Sequence, residues 1–135
     1  MPSYGPPITA EQARKAASVA LAEARANNWA MAAAVVDPAG ILVYFERHDD
    51  TQNASSQIAI DKARSAALFK RPTKNFQDSV ERGGVGLRVM KLRGAMPVEG
   101  GVPLVVDGQI VGGLGVSGGT ADQDGQCAKA ATDAM

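Results

Sequence analysis

The sequence is poor in several kinds of residue, and each shortage excludes a class of protein. It has one cysteine, so no disulfide can form within the chain. With only one histidine as well, it cannot supply the common zinc ligand sets by itself. Aromatic residues make up 4% of the chain, which leaves few large rings to fill a core. The formal net charge of +0 argues against a nucleic-acid-binding protein that relies on phosphate contacts.

Long apolar runs are also absent. No stretch approaches the roughly 18 uninterrupted apolar residues of a transmembrane helix. Residues 1–7 have neither the basic nor the apolar region of a secretory signal peptide. Together with the single cysteine, these features predict a cytoplasmic protein that makes no use of a membrane.

Small residues are plentiful instead. The 15 glycines and many alanines predict a core in which helices and strands pack closely. A chain of 135 residues leaves much apolar surface exposed as a monomer, so we predict self-association. Residues 1–8, rich in proline, are predicted to form an extended N-terminal arm, and residues 9–135 a single domain.

Helix signals occur at four places. Thr9 and Thr120 each begin a capping box, a pattern typical of a helix N-terminus. Proline at position 72 marks the end of a third helical segment. The predicted helices span residues 9–27, 53–69, 74–82 and 120–135.

Strand signals form two hairpins. Asp37-Pro38-Ala39-Gly40 and Asp107-Gly108 are turn sequences between apolar runs. The predicted strands span residues 30–37, 41–47, 102–106 and 109–116, with a fifth, short strand near 87–92. Strands joined by hairpins with helices packed on them predict an α/β (α+β) fold with a mainly antiparallel sheet.

Two glycine motifs near the C-terminus suggest chemistry. Residues 113–118 match G-x-G-x-x-G, but the chain lacks the following strand and acidic residue of a dinucleotide-binding unit. Residues 115–119 match G-x-S-x-G, but no histidine follows Ser117 to complete a hydrolase triad. Two interpretations of this segment stay open: its amides bind an anion at the helix N-terminus, or its glycines allow close packing.

Charged residues gather around the end of one predicted strand and the helix after it. His48-Asp49-Asp50 could hold a metal only across subunits, so a solvated loop is the simpler interpretation and we predict no metal site. Lys62 and Arg64 cannot face the same way on a helix, so one of them points inward. An inward lysine beside a carboxylate could act as an acid or base, or it could form an ordinary ion pair.

The complete pattern is similar to a known family. Residues 34–40, Arg47-His48-Asp49, Lys62-Ala63, Gly100-Gly101-Val102-Pro103 and the GGLGVSGG segment before Asp124 occur in this order. Together they resemble the heme-binding, GlcG-like family over nearly the whole chain. Where many relatives have a histidine after the hairpin glycine, this chain has Ile41.

The resemblance implies a fold and a ligand. The fold is a profilin-like, three-layer α/β/α sandwich with a five-stranded antiparallel sheet, and the assembly is a homo-oligomer from dimer to octamer. Heme is the cofactor that the resemblance names. If heme binds, its ligand here would be His48, a methionine or Cys127, or the ligation would be weak and at an interface.

Two functions follow as hypotheses. The first is a small-ligand-binding oligomer that takes heme or a small organic acid. Its ligand-binding residues would be Arg47, His48, Lys62, Gly100, Gly101, Gly115, Ser117 and Gly118. The alternative is a small catabolic enzyme, a hydrolase, deaminase or isomerase, that acts on an organic acid. Its catalytic residues would be Arg47, Asp49, Lys62, Glu99 and Asp124.

Overall fold

The computed structural model describes all residues from Met1 to Met135. The helices are α1 (Ala10–Ala26), α2 (Ala54–Phe69), α3 (Thr73–Arg82) and α4 (Ala121–Asp133). The strands are β1 (Ala32–Val36), β2 (Leu42–Arg47), β3 (Gly101–Val106) and β4 (Gln109–Ser117). A 3₁₀ helix covers Gly84–Lys91. None of the helices combines the length and the hydrophobicity needed to cross a membrane.

Both predicted capping boxes are confirmed. The Thr9 hydroxyl accepts from the Gln12 amide at 3.1 Å, and the Gln12 side chain accepts from the Thr9 amide at 3.0 Å. Thr120 and Gln123 make the same reciprocal pair at the start of α4. Two backbone donors that a helix N-terminus leaves free are therefore satisfied at each of these ends.

The sheet has four strands in the order β2-β1-β4-β3, and all neighbours are antiparallel. The mixed α/β class and both hairpins are confirmed. The predicted five-stranded sheet is wrong, because residues 87–92 lie in and just after the 3₁₀ helix. Val89 is the only buried side chain in that helix, so the segment lacks the alternating burial that a strand on a core would need.

The helices cover both faces of the sheet. Ala33 and Val35 of β1 point into a core with α1 and α4, whereas Ala32, Ala34 and Val36 point toward α2. β1 is therefore buried on both sides, which explains its continuous apolar sequence.

Helix α2 lies very close to β4. A side chain at Gly113 or Gly115 would overlap the carbonyl oxygens of Ala63 and Ala59, respectively. These strand glycines therefore let the α2 backbone rest directly on the sheet. Close packing of this kind leaves little space between the layers.

Candidate functional site

The predicted site residues lie around one end of the sheet. Ala32, at the start of β1, pairs with Arg47 of β2 and with Ser117 of β4. Gly101, at the start of β3, pairs with Gly115. We call this the Ser117 end of the sheet. The turn to α4 through Gly118 and the start of α2 also lie there.

Lys62 is the inward-pointing cation of α2. Its Nζ donates to Asp124 Oδ2 at 2.8 Å and to the Val116 carbonyl oxygen at 3.0 Å. The other carboxylate oxygen of Asp124 accepts from the Gly119 amide at 2.9 Å. The two side chains are 1% and 4% exposed, so this is a buried ion pair that ties α2 to β4 and α4.

Burial shifts both members of the pair toward neutrality. Desolvation lowers the pKa of Lys62, and the attraction of Asp124 opposes that shift. Desolvation likewise raises the pKa of Asp124 against the attraction of Lys62 and the hydrogen bonds from Gly119 and Gly118. Perturbed, paired groups of this kind occur at active sites, but also in structural ion pairs.

The Gly100-Gly101 loop closes over the pair. Gly100 has φ +130, and a Cβ there would lie 2.8 Å from Lys62 Nζ and 2.9 Å from Asp124 Cβ. The Gly101 amide donates to the buried Thr73 hydroxyl at 2.9 Å. The loop glycines thus pack against the ion pair, and none of the surface clefts is lined by Lys62 or Asp124.

Glu99 lies beside this cluster but does not bond to Lys62. Its backbone amide donates to Gln77 Oε1 at 2.7 Å, and its carboxylate covers Gly125, where a side chain would overlap it. Partial burial raises the pKa of Glu99, while Lys74 and Lys62 oppose the shift. Three of the predicted catalytic residues, Lys62, Glu99 and Asp124, are therefore neighbours.

Arg47 and His48 are not brought together. Successive residues of a strand point to opposite faces, and Arg47 faces α2, where its Nη1 lies 3.4 Å from Ser56 Oγ. His48 points to the other face, toward the end of α1. The two side chains therefore do not line the same cleft.

His48 has one satisfied and one unsatisfied ring nitrogen. The Met31 amide donates to its Nδ1 at 3.3 Å. In a neutral imidazole this contact places the proton on Nε2. Nε2 is buried and has no hydrogen-bond partner, and it is the only such side-chain atom in the chain. An orphaned buried donor is costly and calls for an explanation.

His48 and Asp49 line a surface cleft of about 370 Å³ with the residues that follow α1. Arg25 lies in the last turn of α1, and Asn28 and Trp29 lead into β1. We call this the Trp29 cleft. Sequence reasoning missed Arg25 and Trp29; the available signal was that the only tryptophan comes directly after a helix end.

Cys127 is far from any such surface. It is fully buried in the core between the sheet, α1 and α4. Desolvation raises the pKa of its thiol to about 12, so a thiolate does not form near neutral pH. Its predicted role as a small buried hydrophobe is confirmed.

The comparisons with known proteins agree on one family. The family described as haem-degrading protein HbpS-like matches residues 8–133. Protein GlcG of Escherichia coli (strain K12) is 43% identical over 95 residues, which are 70% of this chain and 69% of that protein.

Solved structures in the same family have the same fold. HbpS of Streptomyces reticuli, in a double-mutant form, superimposes with a TM-score of 0.87 at 28% identity, over 98% of this chain and 90% of its own. A complex of PduOC with heme superimposes with a TM-score of 0.85 at 28% identity, over 96% of this chain and 95% of its own. The predicted resemblance to this family is thereby confirmed.

Proposed function

Because this chain belongs to the HbpS-like family, we propose that it is a small-molecule-binding protein whose ligand carries a carboxylate. The heme complex of PduOC supports ligand binding in general. We propose heme or a small organic acid as the ligand and the Trp29 cleft as its site.

The observation that carries the proposal is the unsatisfied Nε2 of His48. This N–H is a donor without an acceptor, next to a cleft that also offers the Arg25 guanidinium and the Trp29 ring. A carboxylate oxygen that displaces the groups covering Nε2 would supply the missing acceptor. Arg25 would pair with the same carboxylate, and the indole would pack against a planar ligand body.

In the Trp29 cleft, heme would be held through one of its carboxylates better than through its iron. An axial imidazole must present a lone pair, but the Met31 contact leaves the proton on His48 Nε2. Cys127 is fully buried in the core, and burial raises the pKa of its thiol to about 12, so it does not present a thiolate to iron. Ile41 has no atom that can ligate iron. The donor set therefore does not fit an iron ligated by His48 or Cys127 in this conformation.

The charges of the cleft favour a monoacid. Arg25 supplies one positive charge, and Asp49 is the acidic residue of the lining. A second carboxylate on the ligand would be repelled by Asp49. A small aromatic or planar monocarboxylic acid matches one cation, one N–H donor and one ring.

Self-association is part of the proposal. Several large apolar side chains are exposed, among them Met90 at 64%, Ile41 at 60% and Leu42 at 47%. Burial of such surface against another copy is favourable. A homo-oligomer, from dimer to octamer, in the cytoplasm is therefore the proposed form, and sedimentation at several concentrations tests it.

The ligand proposal can be tested through Trp29, the only tryptophan, whose fluorescence reports directly on the cleft. Benzoate should quench it saturably. Arg25→Gln should weaken benzoate binding about tenfold, the equivalent of about 1.4 kcal/mol. Arg47→Gln is the matched control, because this arginine lies on the opposite face, and it should leave binding unchanged. Equal effects of the two variants, or no saturable quenching, would contradict the proposal.

A titration with hemin tests whether His48 ligates iron. If hemin is held through one carboxylate and not through its iron, it should quench Trp29, and its Soret band should be identical in wild type and His48→Ala. A Soret shift that disappears in His48→Ala would show that His48 ligates iron, and would refute the argument from its tautomer.

The enzyme alternative would use Lys62, Glu99 and Asp124. The enzyme alternative is weaker because a substrate cannot reach the Lys62–Asp124 ion pair, which is buried beneath Gly100. Turnover of an organic acid that disappears in Lys62→Met, in a variant shown to remain folded, would favour it over simple binding.

A further inference from the structure

The largest cleft of the chain lies away from the Trp29 cleft, between α3 and the 3₁₀ helix. Its volume is about 540 Å³, and it shares no lining residue with the Trp29 cleft. The positively charged lining residues are Arg71, Arg82 and Arg88, and none of the 11 lining residues is acidic. We call it the arginine cleft.

The three guanidiniums have no carboxylate partner. The four ion pairs of the chain all involve other cations. Arg82 donates only to the Ser79 hydroxyl, at 3.2 Å, and Arg71 only to the Phe69 carbonyl oxygen, at 2.8 Å. Most of their N–H donors thus remain free for an oxyanion, and like charges around one cleft create a local positive potential.

The arginine cleft also has an apolar wall. Phe76 is buried, with its ring 5.6 Å from the Arg71 guanidinium and in a T-shaped contact with Phe69. Val85 and Val89 line the side formed by the 3₁₀ helix. These contacts fix Arg71 in place and leave an apolar surface beside it. The cleft could therefore bind both the charged group and the hydrophobic body of a ligand.

The backbone that shapes the cleft is unusual. The 3₁₀ helix has eight residues, whereas runs longer than about four are uncommon and often mark functional or strained segments. It approaches α3 so closely that a side chain at Gly86 would overlap the Ser79 carbonyl oxygen. This close approach of the 3₁₀ helix to α3 brings Arg82 and Arg88 into the lining of the same cleft.

We propose that the arginine cleft is a second binding site, for an aromatic or otherwise apolar molecule that carries two negative charges. A dicarboxylate and a phosphate monoester share this chemistry. Three cations in a lining that contains no acidic residue suit a dianion, whereas the Trp29 cleft, with Asp49 in its lining, suits a monoacid. This site does not depend on the ligand proposed for the Trp29 cleft.

Calorimetric titrations of the full chain carrying Arg25→Gln, which weakens benzoate binding in the Trp29 cleft without touching the arginine cleft, can test this proposal. Phthalate and phenyl phosphate are the dianionic probes, with benzoate and inorganic phosphate as partial probes that lack one charge or the apolar body. At least one dianionic probe should bind at least tenfold more tightly than both partial probes. Whichever of the two dianions binds more tightly shows whether the site prefers a dicarboxylate or a phosphate monoester.

Variants then locate the site. Arg82→Gln and Arg88→Gln should each weaken binding of the tighter probe at least fivefold, and both side chains are exposed, so folding should be retained. Arg93→Gln, an exposed arginine just outside the cleft, is the matched control and should change binding less than twofold. No binding of either dianion, or an equal loss in Arg93→Gln, would overturn the proposal. Because the Trp29 signal reports the other cleft, failure here is distinguishable from failure of the proposed function.

Discussion

The buried pair between Lys62 and Asp124 provides the sharpest test of how the layers are held together. Lys62→Met keeps a long unbranched side chain, one atom shorter, but removes its charge and both hydrogen bonds. Asp124 would then remain as a buried carboxylate, held by amide donors but without a cation. Removal of one partner from a buried pair costs about 3–5 kcal/mol.

The pKa of Asp124 places the loss near the lower end of that range. Burial already raises this pKa, so the unpaired carboxyl can take up a proton instead of remaining charged. We expect a loss of about 3 kcal/mol in the free energy of unfolding. For a chain of this length this corresponds to a fall in Tm of roughly 10 °C.

Urea denaturation and calorimetry of Lys62→Met measure this loss, and Lys129→Met is the matched control. Lys129 pairs with Asp133 at 2.6 Å, a shorter distance than in the buried pair, but its side chain is 75% exposed. Its removal should cost at most about 0.5 kcal/mol. The double variant Lys62→Met/Asp124→Asn should lose at least about 2 kcal/mol less than the sum of the two single variants. Equal losses in Lys62→Met and Lys129→Met would refute the argument that burial makes this pair important.

Three further predictions follow from other residues. Burial raises the pKa of Cys127 from an ordinary 9.0 to about 12 in the folded protein. Above pH 9 the native thiol therefore keeps a proton that the unfolded thiol loses. The free energy of unfolding should fall for this reason by about 1.4 kcal/mol between pH 8 and pH 10. Denaturant titrations at both pH values should show this extra fall in wild type relative to Cys127→Ala. The comparison removes the contribution of other titrating groups such as Lys62, which both proteins share. An equal fall in the free energy of unfolding of both proteins would contradict the prediction. Thr120→Ala removes a capping hydroxyl and should cost about 1 kcal/mol by urea denaturation, with no loss counting against the capping box. Gly115→Ala forces a methyl group against the Ala59 carbonyl oxygen and should lower the free energy of unfolding by about 3 kcal/mol or more. Gly94 has open space around it but a positive φ, so Gly94→Ala should cost about 1 kcal/mol. Similar thermal shifts for both variants would be inconsistent with close packing of α2.

Features encoded within a few residues were predictable from the sequence. The capping boxes at Thr9 and Thr120 and the turn at Asp107-Gly108 each depend on contacts only two to four residues apart in sequence. Helical geometry also predicted that Lys62 and Arg64 diverge, and they do: Lys62 is buried, while Arg64 reaches the Gly40 carbonyl oxygen.

Features that depend on distant contacts were not predictable. Nothing near Lys62 in the sequence identifies Asp124 as its partner, since 62 residues separate them. The apolar residues around 87–92 looked like a strand, but whether an apolar segment joins a sheet depends on what covers it. Val89 alone finds a buried position there, and the segment instead winds into the 3₁₀ helix.

The same small residues that build the core also decide where a ligand can bind. Glycines under α2 and over the Lys62–Asp124 pair bring backbone to within contact distance, so the interior of the Ser117 end is filled. The two largest clefts lie where larger side chains stand between elements. Trp29 does so after α1, and Phe76 and Val89 do so between α3 and the 3₁₀ helix. A low aromatic content therefore does not argue against binding here, because two of the six aromatic side chains line clefts that also contain an arginine.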